Sequence, residues 1–170
     1  MKTGVFFMKK LFLGFAMAMG LLAFSNSTSM KVEASEVQAP MKLATTFNLN
    51  TDNEKTISNN SGELTIKKHN NPLVQTRIAD DVYDLYYHSF DGKFNCGYRA
   101  VIANNMFIDV DQPWNELYGM NVLYQTLGMD SSTKATYFMN VENCWGQNWN
   151  QYLVGEIDYF GRLNVQLFHN

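Results

Sequence analysis

The clearest pattern in the chain is at its C-terminal end. Leu163, Val165 and Leu167 alternate with Arg162, Asn164 and Gln166. A strand with one buried face and one wet face reads this way. Tyr152 to Phe168 therefore reads as two strands around Gly161. Val82 to Phe90 is dense in Val and Tyr, which suit a pleated, half-buried surface. Asp91-Gly92 follows, and then Phe94 to Ala103, so this stretch predicts a hairpin. One face of its second strand would carry Cys96, Tyr98, Ala100 and Ile102. A helix over 96–106 is the competing reading, because Ala100 to Ala103 has no period of its own.

Asp111 to Gly128 reads differently. Trp114, Leu117, Met120, Tyr124 and Leu127 recur at three- and four-residue steps, the period of one helix face. Asp111 suits an N-cap, Pro113 the first turn and Gly128 the stop. This predicts one helix near 112–127, weakened by Gly119. Lys134 to Val141 reads as a strand after the Ser131-Ser132 turn. The expected fold class is α+β, mainly antiparallel: a sandwich-like sheet of five or six strands with that one helix.

The N-terminal part divides the chain. Lys9 and Lys10 precede an uncharged apolar run, Leu11 to Phe24, and Val32-Glu33-Ala34 supplies small residues for a signal peptidase. Residues 1–34 are expected to be a secretory signal cut before Ser35, of a bacterial kind. The run is too short for the roughly 20 residues that span a membrane. No second apolar run of that length follows, so no membrane span is expected in the mature chain. Residues 35–72 read as an extended arm with one or two edge strands, at Leu43–Leu49 and Glu63–Lys67. Residues 73–170 read as the β-rich, disulfide-linked domain.

Charge narrows the function. Four of the 13 basic residues and one of the 16 acidic ones lie in the leader, which leaves a mature net charge of −6. A nucleic-acid surface wants the opposite sign. Export makes pairing the default for the only two cysteines, Cys96 and Cys144.

Phe94-Asn95-Cys96-Gly97-Tyr98-Arg99-Ala100 resembles the nucleophile segment of papain-like cysteine peptidases over those seven residues. The resemblance implies a Cys96 thiolate at a helix start, with a His and an Asn or Asp turned toward it. Only His169 follows the cysteine, at the penultimate position, which departs from that family's pattern. The three histidines lack metal-site spacing, and neither a metal nor a cofactor is expected.

Val141 to Tyr152 is the most distinctive segment. Trp145, Trp149 and Tyr152 stand among Asn148, Asn150 and other amides. Flat rings beside amides suit sugars, the ring against the apolar face and the amides on hydroxyls. They also anchor protein partners. The plainer alternative puts the indoles in the core. Trp149, flanked by polar residues, is expected in a loop and partly exposed. The leading expectation is a secreted, non-catalytic binding module for extracellular material, a glycan or cell-wall polymer. A secreted toxin or hydrolase inhibitor acting on a protein is the alternative, and a cysteine hydrolase using Cys96 is the third.

Overall fold

The computed structural model describes residues 42–69 and 81–170. The expected leader and its expected cleavage site lie outside the described residues. So does the boundary expected near Leu73.

Ten strands follow one another: β1 Lys42–Asn48, β2 Glu54–Ser58, β3 Gly62–His69, β4 Asp81–Ser89, β5 Phe94–Ala103, β6 Met106–Leu117, β7 Met120–Ser131, β8 Lys134–Asn143, β9 Asn148–Ile157 and β10 Arg162–His169. They form two antiparallel five-stranded sheets. Sheet I has the order β1-β10-β9-β8-β7 and sheet II the order β2-β3-β4-β5-β6. Each strand from β2 to β6, and from β7 to β10, pairs with its neighbour in sequence. The sandwich-like antiparallel architecture is present, with more strands than expected.

Alternation builds the core. Tyr83, Leu85 and Tyr87 of β4 point inward, as do Cys96, Tyr98, Ala100 and Ile102 of β5. Sheet I answers with Tyr137, Met139 and Val141 of β8 and Leu163, Val165 and Leu167 of β10. Rings meet between the sheets: Phe47 contacts Tyr83 at 5.8 Å, and Tyr98 contacts Tyr137 at 6.5 Å. Each such side chain contributes about 1.5–3 kcal/mol through burial. Leu43 and Phe47 of β1 and Leu64 and Ile66 of β3 join the same cluster. The stretch read as an arm thus supplies core residues from β1 and β3.

No helix occurs among the described residues, and the helix expected near 112–127 is replaced by β6, a turn at Tyr118-Gly119, and β7. Gly119 takes φ 71°, which glycine adopts without steric cost and which no helix contains. The five residues spaced as a helix face do not share one. Leu117, Met120 and Leu127 pack on the core from two strands, whereas Tyr124 is mostly exposed. Pro113 sits where β6 slips register against β5, between the Gly97–Trp114 and Arg99–Asp111 pairs. A bulge tolerates its missing N–H.

The expected disulfide is absent. Alternation carries Cys96 into the core of β5, and Cys144 stands exposed in the β8–β9 turn, so both thiols are free. The strand at Phe94–Ala103 also replaces the helix start that the peptidase resemblance implies.

Sheets I and II meet along β6 and β7 through side chains at one end and a backbone bond at the other. Asn115 donates to Gln125 Oε1 at 2.7 Å and to the Tyr137 hydroxyl at 3.0 Å. That hydroxyl donates to Gln125 at 2.7 Å. Phe107 N donates to Ser132 O at 2.8 Å at the far end of the same seam. Among the described residues, no helix is long and apolar enough to cross a membrane.

Candidate functional site

The residues singled out between Val141 and Tyr152 are dispersed by the fold. Asn148, Asn150 and Tyr152 lie on the outer face of sheet I. Trp149 belongs to β9, not to a loop, and its indole packs against the core. The neighbouring Gln151 is also buried, yet its amide is satisfied by donating to Phe168 O at 3.1 Å. That bond makes room for a glutamine beside an inward Trp. Trp145 is 83% exposed at the tip of the β8–β9 turn.

Tyr152 belongs to a row of rings crossing four strands. Tyr124 meets Phe138 at 5.9 Å, Phe138 meets Tyr152 at 5.1 Å, and Tyr152 meets Phe168 at 4.9 Å. The last pair is stacked, with only 11° between planes. These rings cover one another's faces, as cross-strand aromatic pairs do. Asn150 likewise receives a hydrogen bond from Asn140 at 2.9 Å. Tyr152 and Asn150 thus spend their ring and amide on neighbours of the same face, while Asn148 and Tyr124 stay exposed.

The outer face of sheet II differs. Asp84, Tyr86, His88, Arg99, Gln112, Trp114 and Glu116 line an open groove of about 580 Å³. β4 supplies the first three, β5 supplies Arg99 and β6 the rest. Gly97 makes the groove possible. A Cβ there would stand 2.7 Å from Trp114 Nε1 and 2.7 Å from Tyr86 Cβ. The indole therefore lies down on the strand backbone. His88 approaches Trp114 at 5.7 Å and Tyr86 at 5.2 Å, which forms an aromatic floor.

Polar groups flank this floor. Arg99 donates from Nε to Asp84 at 3.1 Å, and His69 pairs with the other oxygen of the same carboxylate. That pairing uses one of the five guanidinium N–H groups and leaves the planar fork oriented. Glu116 accepts a hydrogen bond from Asn95 at 3.3 Å. Gln112 is held at φ 49°, a backbone conformation that side-chain-bearing residues seldom adopt. Beside it, Asp111 Oδ1 is buried without a hydrogen-bond partner among the described residues. Strain and an unsatisfied oxygen thus meet at the groove's bulge, a combination concentrated at binding sites.

The remaining nucleophile stands apart. The Cys96 thiol is buried in the core, and desolvation pushes its pKa well up, away from thiolate formation. Among the described residues, no group of three or more His, Cys, Asp or Glu side chains is placed to hold a metal.

Trp114 was legible only as a hydrophobic position. The available signal was Gly97, a small residue within a strand, which marks close approach of another group. No protein-family model, curated protein or solved structure matches this chain.

Proposed function

We propose that this chain is a secreted, non-catalytic binding module for extracellular material, and that its ligand is a glycan held in the sheet II groove. One observation carries the reading: the Trp114 ring laid along Gly97 and bordered by Arg99, Asp84, Gln112 and Glu116. A pyranose offers an apolar face to such a ring and hydroxyls to such neighbours. Carboxylates accept from hydroxyls and the guanidinium donates to them. An open groove suits a chain that extends beyond one sugar unit. The proposal keeps the ligand class expected from the sequence and moves its site to the other sheet. Export rests on the leader, and the core position of Cys96 supports a binding role over a hydrolytic one.

The test is titration calorimetry against a panel of soluble α- and β-linked oligosaccharides. Trp114→Ala should weaken binding tenfold or more, with little change in the circular-dichroism spectrum. Trp145→Ser should bind like the parent. If no oligosaccharide binds, or if Trp114→Ala binds as well as the parent, the reading fails.

A further inference from the structure

In a meander of strands, every second connection emerges at the same end. The turns between β4 and β5, β6 and β7, and β8 and β9 share one end here. They are also neighbours. Tyr118 N donates to Lys93 O at 2.9 Å, which ties the second turn to the first. Met120 pairs with Asn143, which sets the third turn beside the second. Each tip carries one large ring turned to solvent: Phe90 is 61% exposed, Tyr118 77% and Trp145 83%. At the other end, among the described residues, exposed rings occur on one turn only. Those are Tyr159 and Phe160, and the Arg162 guanidinium lies over Phe160 at 5.1 Å.

We propose that these three tips form a docking rim that enters the interfacial layer of a lipid bilayer with a zwitterionic surface. Three features favour this occupant. The rings are Phe, Tyr and Trp on separate convex tips. Such side chains suit the layer between headgroups and hydrocarbon, where an apolar body and a polar edge are both accommodated.

Second, most backbone donors of the tips are already satisfied within the fold, which lowers the cost of entering a low-dielectric layer. Asn143 Oδ1 accepts from both Trp145 N and Gln147 N at 3.0 Å. Gly146 N donates to Asn143 O at 3.0 Å, Phe90 N to Ser61 O at 3.0 Å and Gly92 N to Ser89 O at 3.0 Å. Lys93 N donates to Asp91 Oδ1 at 3.0 Å.

Third, charge points to a neutral surface. Asp91 and Lys93 are the charged residues on these tips, and they pair at 3.4 Å. Glu116 and Glu142 stand just behind them on β6 and β8. A rim with a balanced tip and an acidic collar draws no attraction from anionic lipid.

The experiment is flotation of the chain with phosphatidylcholine vesicles in a density gradient. Residues 1–34 are omitted so that the apolar leader cannot supply binding. The compact unit Val37–Asn170 holds every described strand. The chain should float, equally in about 0.15 M and about 1 M salt, since no screened attraction is involved. The triple variant F90S/Y118S/W145S should stay at the bottom while keeping the parent's melting temperature. Brominated phosphatidylcholine should quench the parent's Trp emission, and much less that of Trp145→Phe. Trp114→Ala should float normally, so a failure of the glycan reading leaves this result intact. The proposal is overturned if the parent does not float, or if the triple variant floats with it. Binding confined to anionic vesicles and lost in salt would overturn it too, as would saturable capture by a protein partner with no vesicle binding.

Discussion

The Trp114 indole nitrogen lies 2.7 Å from the point where a side-chain carbon on Gly97 would begin, and the two residues are register partners on β5 and β6. This pair sets the depth of the groove. Gly97→Ala would place a methyl group against Trp114 and also 2.8 Å from Leu85 O, which is backbone. Side-chain rotation alone cannot relieve that contact. The variant should lose about 1–3 kcal/mol by overpacking. It should also lose glycan affinity, because the indole must lift. Denaturant melts and calorimetry on the same preparation measure both.

The two tryptophans near the β8–β9 turn should behave oppositely. Trp149 packs on the core from β9. Trp149→Ala should cost about 2–3 kcal/mol, somewhat less than a fully buried ring. Trp145→Ala should change stability by less than about 0.5 kcal/mol, since its ring stands in solvent. Chemical denaturation separates the two.

A thiol count should find one reactive cysteine in the folded chain and two after unfolding. Cys144 is exposed and Cys96 is buried, with burial holding its thiol protonated. Iodoacetamide should label Cys144 alone under native, non-reducing conditions. Mass spectrometry that finds a Cys96–Cys144 bridge would contradict the fold described above.

Alkali should unfold the protein. Desolvation raises the pKa of Tyr83, Tyr98 and Tyr137, and brings that of Tyr87 to about 12. In the unfolded chain these phenols titrate near 10. Folded values above unfolded ones mean that the stabilising contribution is complete below about pH 10 and is lost as pH rises beyond it. Absorbance at 295 nm should show Tyr83, Tyr87, Tyr98 and Tyr137 ionising together with loss of the folded circular-dichroism signal.

Acid should act through other groups. Burial lowers the pKa of His169, so protonation is harder in the fold than in the unfolded chain. Its neutral form favours the folded state, and that contribution falls away as pH drops through the ordinary histidine range near 6.5. Asp91 and Asp158 are held below the usual carboxylate range by hydrogen bonds, chiefly from Lys93 N and from the Arg162 side chain. Their contribution is present above about pH 4 and is lost below it. Melting temperatures should therefore fall in two steps between pH 7 and 3, and His169→Gln should remove the first.

The strands with a clean inside and outside were legible from residues alone. β10 alternates cleanly from Arg162 to Leu167, and the β4–β5 hairpin announced itself through Asp91-Gly92. β6 and β7 were not. Each is the last strand of its sheet, and much of each is open to solvent on both faces. Met106, Ile108, Leu123, Tyr124 and Met129 are all exposed there. Without one dry face, the period of two that marks a strand is not imposed. The spacing from Trp114 to Leu127 then matched a helix by coincidence. The same misreading hid the groove, because Trp114 was counted as one stripe of a buried helix face. Trp149 misled for a related reason: its polar neighbours suggested a loop, but Asn148 and Asn150 point outward from β9 while Gln151 finds a backbone carbonyl.

β1 takes its place in sheet I only by pairing with β10, with Thr46 donating to Asn164 at 2.7 Å across 118 residues of chain. Every other pairing among the described strands joins strands that follow one another. The early strands can form hairpins as they emerge, but the first of them has no partner until the last is made. Assembly therefore ends by joining the two extremes of the domain, the contact with the greatest loop-closure cost and the one expected to limit the folding rate. Until then β1, with Leu43 and Phe47, lacks its strand partner, so a chain halted before Arg162 would be unfinished at both extremities at once.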